Sequence, residues 1–208
     1  MNETTASPPR PPAVKRYQRG LWPIIRQCIS GVQPGGAILD AGCGHGFISG
    51  EILRLGYRVY GIDSSAPEIK HCRRDIPEGT FHQASICDPG IRRLIADPVD
   101  AILAIEVIEH LYSPAGFAEN CRALLKPGGF LVISTPFHGF WKNLLLAATG
   151  RLDRHFQADH EGGHIKFWSY RALATFLRSH GFEVTEFHGY GRVPLLWNSM
   201  IVKAVKTA

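Results

Sequence analysis

Glu106, Glu109 and His110 fall within one short stretch, Ile105-Glu106-Val107-Ile108-Glu109-His110-Leu111, and residues of these types at this spacing can move a proton. If Ile105 to Leu111 opens a helical turn, the i,i+3 and i,i+4 spacings put all three on one side. An imidazole there is a base or an orienting group for an acceptor that must lose a proton. The three residues serve equally well as local structural hydrogen-bonding groups, and both readings stand at this point. A second group, His138, His155, His160 and His164, is interspersed with Asp153, Asp159 and Glu161. It occupies a polar stretch that breaks the rhythm of the chain, and loops of that kind carry most binding residues. His164 stands just before Phe167-Trp168-Ser169, where Ser169 is placed to cap a helix and the aromatics to anchor the segment.

A ligand is signalled further upstream. Ile38-Leu39-Asp40-Ala41-Gly42-Cys43-Gly44-His45-Gly46-Phe47 reads as a strand, a tight loop and a helix start. Glycines at alternate positions let the loop backbone press against a ligand, because no Cβ holds it away. The spacing is G-x-G-x-G, which is neither the dinucleotide fingerprint nor the phosphate loop. The next strand, Tyr57 to Asp63, ends in an acid 19 positions after Gly44, where a carboxylate can bind a ribose diol. Two acidic strand ends around the loop suit an adenosine ligand without a pyrophosphate, which would favour a helix N-terminus free of carboxylates. A nicotinamide oxidoreductase would need a different glycine spacing. A non-catalytic adenosine-binding module would keep the loop and Asp63 and transfer nothing.

These residues resemble the first motifs of the class I S-adenosylmethionine-dependent methyltransferases. The likeness continues through Val99 to Leu111 and through Leu124-Leu125-Lys126-Pro127-Gly128-Gly129 into Phe130 to Pro136, and it covers about Gly36 to Lys203. The chain is most similar to the small-molecule subgroup that methylates ubiquinone precursors. The resemblance implies S-adenosylmethionine as cofactor and methyl transfer to a small-molecule acceptor, with a hydroxyl activated by a Glu/His base drawn from Glu106, His110, His138 and His164. It implies that Asp40, Gly42, Cys43, Gly44, Gly46 and Phe47 frame the methionine part of the cofactor. Asp63 would bind the ribose hydroxyls, Ser64 would flank the adenine, and Ile105 and Glu106 would form the floor. The acid usually found after the third strand is replaced by Ser85, followed by Ile86. Ser85 could accept the adenine amino group, or Asp88 could reach in. Glu106, Glu109, His110 and His164 also resemble the metal-binding quartet of the small-RNA 2′-hydroxyl methyltransferases, and such a set can hold a divalent ion. That reading makes a metal-dependent RNA methyltransferase the alternative, against a first expectation of no metal.

The elements that must position these groups follow from the apolar pattern. Helices are expected at Tyr17 to Ile29, Phe47 to Arg54, from Ser65-Ala66-Pro67-Glu68, at Pro114 to Leu125, and at Tyr170 to His180, with a helical piece at Trp141 to Ala148 and a helix or turn at Gly90 to Ala96. Strands are expected at Ala37 to Ala41, Arg58 to Ile62, Thr80 to Ala84, Ala101 to Ile105 and Phe130 to Ser134. Lys126 to Gly129 reads as a stop signal before the fifth strand, and a final antiparallel pair is expected at Phe182 to Phe187 and Leu196 to Ala204. Continuous apolar central strands indicate a parallel sheet covered on both faces. The expected fold is a Rossmann-like α/β three-layer sandwich with a mostly parallel seven-stranded sheet in the order 3-2-1-4-5-7-6 and a helical insert after strand 5. Residues 13–208 form one domain with a lid at 137–166, and residues 1–12 form a disordered tail without the pattern of a secretory signal.

The 208 residues carry 45% apolar residues and a net charge of +5 from 23 basic and 18 acidic groups. This mild excess, scattered along the chain, argues against a nucleic-acid groove. No apolar run is long enough to span a membrane. The five cysteines, Cys28, Cys43, Cys72, Cys87 and Cys121, are dispersed and odd in number, so reduced thiols in a cytoplasmic protein are the better reading than disulfides. Cys43 reads as a small group fitting a tight loop. The supply of aromatics, Tyr17, Trp22, Phe137, Trp168 and Trp197 among them, fits an apolar acceptor pocket. A monomer and a homodimer are both compatible with the pattern.

Overall fold

The computed structural model describes residues 13–95, 97–156 and 163–207. Strand β1 (Ala37–Ala41) is followed by α2 (Phe47–Arg54), β2 (Arg58–Asp63), α3 (Ala66–Asp75) and β3 (Thr80–Gln83), with α1 (Ala13–Ile29) ahead of them. A 3-10 turn at Pro89–Arg93 leads to β4 (Val99–Ile105), α4 (Pro114–Leu124) and β5 (Leu125–Pro136). Then come α5 (Phe140–Ala148), α6 (Leu152–Phe156), α7 (Tyr170–Ser179), β6 (Phe182–Tyr190) and β7 (Ser199–Lys206). The sheet order is β3-β2-β1-β4-β5-β7-β6, as the pattern predicts, with β7 antiparallel to both of its neighbours. The strand order reverses between β1 and β4, and at such a switch point the carboxyl ends of the strands open a crevice.

The core explains why the central strands are apolar throughout. β1 is buried along its whole length, and successive residues feed opposite faces. Ile38 joins Leu21, Ile25 and Ile52 on the face covered by α1 and α2. Leu39 joins Phe117, Leu173 and Phe182 on the face covered by α4 and α7. Burying a side chain of this size is worth about 1.5–3 kcal/mol, so the two clusters hold the strand ends firmly in place.

Several boundaries differ from the expectation. α4 ends at Leu124, next to the stop signal Lys126-Pro127-Gly128-Gly129, but those residues belong to the following strand instead of preceding it. β5 begins at Leu125, opposite Val99, and the register then moves to Phe130 opposite Ala101. The proline and glycines are therefore accommodated as a bulge, with Gly128 at φ +72°. The last two strands also run further, to Tyr190 and Lys206, because they pair almost end to end. In the insert, the short α6 occupies the polar stretch after Gly150, and Ser169 caps α7 by accepting from the Ala172 amide at 3.2 Å. The expected tail at 1–12 and the insert residues Asp159, His160 and Glu161 lie outside the described residues. All five cysteines are free. Among the described residues no helix is long and apolar enough to cross a membrane.

Candidate functional site

A cleft of about 450 Å³ lies at the carboxyl ends of β1, β2 and β4. Gly42, Asp63, Ser64, Ser85, Ile86 and Glu106 line it, six of the residues expected to meet a ligand. Ala84, Cys87, Val107, His110, Leu111 and Tyr112 complete its wall. Of these, only His110 was singled out from the sequence; the others carry no local signal beyond lying after a strand.

The glycine loop is built for close approach. The amides of Gly42 and Cys43 both donate to the Ile62 carbonyl, at 2.8 and 2.9 Å, so the loop folds back over the end of β2. Gly42 has φ +80°, and a Cβ there would lie 2.5 Å from Val107 Cγ2. Gly44 is also left-handed at φ +48°, but a Cβ on it would meet nothing within 4 Å. One glycine is therefore required by packing, and the other leaves room beside the backbone. Gly42→Ala is expected to cost about 1–3 kcal/mol through clash and backbone strain. It should lower the thermal midpoint by several degrees; a midpoint within a degree of wild type would contradict the packing role.

Asp63 is pre-oriented. Its Oδ2 accepts from the Gly44 amide at 3.0 Å and its Oδ1 from the Ser65 amide at 2.8 Å. Each carboxylate oxygen keeps a further lone pair for a ligand. Asp40, by contrast, is buried and receives the Ser49 hydroxyl at 2.6 Å. Burial pushes its carboxyl up to about 6, against the opposing effect of that hydrogen bond. Asp40, Cys43, Gly44, Gly46, Phe47 and Ile105 are not among the residues that line this cleft. The hydrogen bond between Cys43 and Cys72, together with burial, raises the Cys43 thiol. Asp88 does not reach in either. Its Oδ1 accepts from the Gly90 amide at 2.7 Å, capping the 3-10 turn, so Ser85 is the polar group left at that end.

The expected shared face of Glu106, Glu109 and His110 is not formed. Glu106 takes a left-handed backbone at φ +57°, and only Ile108–His110 forms a short 3-10 turn. Glu106 consequently turns away, while Glu109 and His110 stay side by side. Glu106 Oε1 accepts from the Ser134 hydroxyl at 2.7 Å and the Ser199 hydroxyl at 2.8 Å, one from β5 and one from β7. Burial raises its carboxyl, with the two serines opposing. A strained non-glycine residue held by its neighbours at a strand end is a feature of functional sites. Tyr17 from α1 covers this floor; burial and then the nearby Glu106 raise its hydroxyl.

Glu109 is 0% exposed, and neither carboxylate oxygen has a hydrogen-bond partner. Burial, and then Glu106, raise its carboxyl well above the usual range. His110 stands in the cleft beside it, with Nε2 4.0 Å from Glu109 Oε1. Its Nδ1 lies 3.2 Å from the Gly163 carbonyl. A carbonyl only accepts, so Nδ1 carries a proton, and in the neutral tautomer compatible with that bond the lone pair is on Nε2. The His164 ring lies 5.0 Å from that of His110, positioned by the segment whose Ile165 and Lys166 amides donate to the Glu109 carbonyl. Glu109, His110 and His164 can each offer a ligand atom, all within 4.8 Å of one another.

His138 is not brought to the cleft. It is buried between Phe156 and Phe167, its ring centroid 6.0 and 5.1 Å from theirs, and 5.4 Å from His155. Burial, then Lys142, push it down to about 4, which leaves it a weak base.

Known proteins can be set beside this geometry. A family model described as a methyltransferase domain matches residues 15–186. A ubiquinone biosynthesis O-methyltransferase from Bradyrhizobium sp. (strain ORS 278) is 33% identical over 141 residues, covering 68% of this chain and 53% of that one. The chain spans about half the length of the curated relatives it matches. Two solved structures share the fold. The magnesium protoporphyrin IX methyltransferase from Synechocystis PCC 6803, with bound SAH, has a TM-score of 0.67 at 17% identity, covering 97% of this chain and 90% of that one. The 1,6-didemethyltoxoflavin-N1-methyltransferase from Burkholderia thailandensis, with bound S-adenosylhomocysteine, has a TM-score of 0.68 at 17% identity, covering 98% and 94%.

Proposed function

The chain belongs to the class I S-adenosylmethionine-dependent methyltransferases, and on that premise we propose that it transfers the methyl group of S-adenosylmethionine to a hydroxyl of a small-molecule acceptor, with His110 receiving the hydroxyl proton. The observation that supports the proposal is that His110 lines the same cleft as Asp63, with its Nδ1 held by the Gly163 carbonyl. The residues fit the cofactor. Asp63 has lone pairs for a ribose diol, Ser64 and Ser85 supply polar groups at the adenine end, and Ile86, Ala84 and Leu111 supply apolar wall. When bound, the cofactor supplies a sulfonium-activated methyl group. The protein's part is to hold the acceptor in line and to remove its proton. His110 would take that proton at Nε2, beside the buried Glu109 carboxyl. Glu106, fixed by two serines, would form the floor rather than act as the base.

A metal-assisted version is favoured by one specific observation. Glu109 is a buried carboxyl group with no well-formed hydrogen bond to either oxygen, only the nearby Thr135 hydroxyl and His110 Nε2 at 4.0 Å, and Glu109, His110 and His164 each offer a ligand atom within 4.8 Å of the others. Leaving such a group unsatisfied costs about 1–3 kcal/mol or more, and a divalent cation would offset that cost while acidifying a bound hydroxyl. The fourth residue of the resembled quartet, Glu106, is directed at Ser134 and Ser199, so three ligands rather than four converge. The relative from Bradyrhizobium, 53% of which this chain covers, is an O-methyltransferase by name, which supports a hydroxyl acceptor.

One experiment tests both versions. The protein is incubated with isotopically labelled S-adenosylmethionine and a panel of phenols and catechols, with and without a chelator. A labelled O-methyl product is expected. Loss of product on chelation, restored by a divalent ion, supports the metal-assisted version; no transfer to any hydroxyl but transfer to amines sinks the hydroxyl assignment.

A further inference from the structure

The insert carries a second set of groups that the transfer itself does not use. Two adjoining cavities of about 400 and 140 Å³ share Leu146, Arg151 and Arg192. His155 closes the larger, and Lys142 lies in the smaller. Among the described residues every ionisable group lining them is basic, and no carboxylate does so. Apolar wall is supplied by Leu145, Leu146 and Leu196.

Lys142 is the telling member. It belongs to the apolar helix α5 yet is only 4% exposed. Its ammonium donates to the Phe137 carbonyl at 2.8 Å and, at 3.5 Å, to that of Asn198. An ammonium has three N–H groups, so among the described residues at least one is left without an acceptor, and Glu106 acts on the charge only from beyond hydrogen-bond distance. A buried cation without a counter-charge in contact is costly. Arg151 and Arg192 add two guanidiniums that make no hydrogen bond or ion pair with any described residue. Exposed arginines are often solvated, but these two face the same cavity as the buried ammonium. Arg192 itself sits at φ +57°, with Leu195 at φ +68°, so the β6–β7 connection is held in a strained shape over α5. The concentration of positive charge has a further sign. Lys142 is pushed down to about 8 by burial and then Arg192, and His155 is lowered by burial and then Lys142.

The basin adjoins the transfer site. Lys142 holds the carbonyl of Asn198, and the next residue, Ser199, holds Glu106 at the cleft floor. We propose that Lys142, Arg151, Arg192 and His155 form a subsite for an anionic group, a carboxylate or a phosphate monoester, borne by the apolar body of a freely diffusing acceptor. The inference rests on the methyltransferase reading for the word acceptor, but the subsite itself can be tested without any transfer.

The test is calorimetric titration with hexyl phosphate, hexanol and phosphatidylglycerol vesicles, using wild type, the Arg151→Ala/Arg192→Ala double variant and Lys142→Met. The two arginines are exposed, so the double variant keeps its packing. Wild type is expected to bind hexyl phosphate at least about tenfold more tightly than hexanol, and the double variant to lose at least about tenfold. Lys142→Met should lower affinity for hexyl phosphate and leave hexanol unchanged. Equal affinity for hexyl phosphate and hexanol overturns the proposal, as does undiminished binding by the double variant. Binding to vesicles alone, with none to free hexyl phosphate, also overturns it and assigns the patch to a lipid surface. A parallel titration with S-adenosylhomocysteine separates the two readings. If wild type fails to bind it while the hexyl phosphate result holds, the methyltransferase reading fails and the anion subsite stands.

Discussion

Replacing Asp63 with alanine is expected to weaken binding of S-adenosylhomocysteine by about a hundredfold or more, the largest loss at any single position of the cleft. The carboxylate is held before any ligand arrives, by the Gly44 amide on one oxygen and the Ser65 amide on the other. Little ordering cost therefore remains to be met on binding, and each oxygen keeps a lone pair for a ribose hydroxyl. Hydrogen bonds to a charged group are worth about 1.5–3 kcal/mol each, so losing two exceeds the roughly 2.7 kcal/mol that a hundredfold represents. The alanine also strips the Gly44 and Ser65 amides of their acceptor. Asp63→Asn separates these effects, because it keeps one acceptor oxygen while removing the charge. It should fall between wild type and alanine. Calorimetry on folded variants checks the ordering, and an alanine variant within threefold of wild type would mean that the ribose lies elsewhere.

The strands, their order and the Asp63 position were readable because their causes are local. A continuous apolar run marks a central strand, and a glycine with an acidic strand end marks a loop that must meet a ligand. What escaped the reading depends on residues far apart in the chain. The direction of Glu106 is set by Ser134 and by Ser199, 93 positions away. No helical spacing within Ile105 to Leu111 could have shown that the carboxylate turns toward two later strands. The same holds for Lys142, which looks like the polar residue of an apolar helix until Phe137 and Asn198 close over its ammonium. At Lys126 to Gly129 the helix ends as the proline and glycines signal, but the pairing of Leu125 with Val99 carries the strand back through them as a bulge. His138 was weighed with the other histidines by residue type alone, whereas its packing against Phe156 and Phe167 gives it a different environment from His110.

His110→Gln is expected to lower turnover of a hydroxyl acceptor by about 10²–10⁴-fold, the usual range for loss of a positioned acid or base, while leaving affinity for S-adenosylhomocysteine within about twofold. The reasoning runs through the tautomer. The Gly163 carbonyl requires the proton on Nδ1, so the free lone pair is on Nε2, and Nε2 is also the atom that faces Glu109 at 4.0 Å. A proton taken from the acceptor would thus arrive beside a buried carboxyl group, and the imidazolium formed would favour ionisation of that group against the effect of burial. Glutamine preserves a side chain of similar reach and can still hydrogen-bond, but it cannot take a proton at this position. Cofactor affinity should hold because the ribose and adenine groups, Asp63 and Ser85, belong to β2 and the segment after β3. A structural role for His110 gives a different pattern, in which thermal stability and cofactor affinity fall together with turnover. The metal-assisted version gives a third. There, His164→Ala should reduce turnover nearly as far as His110→Gln does, since both rings would hold the same ion, and added divalent metal should recover part of the loss. Unchanged turnover in His110→Gln, with the acceptor saturating, would remove the base from its assigned place and leave in-line positioning as the protein's main contribution.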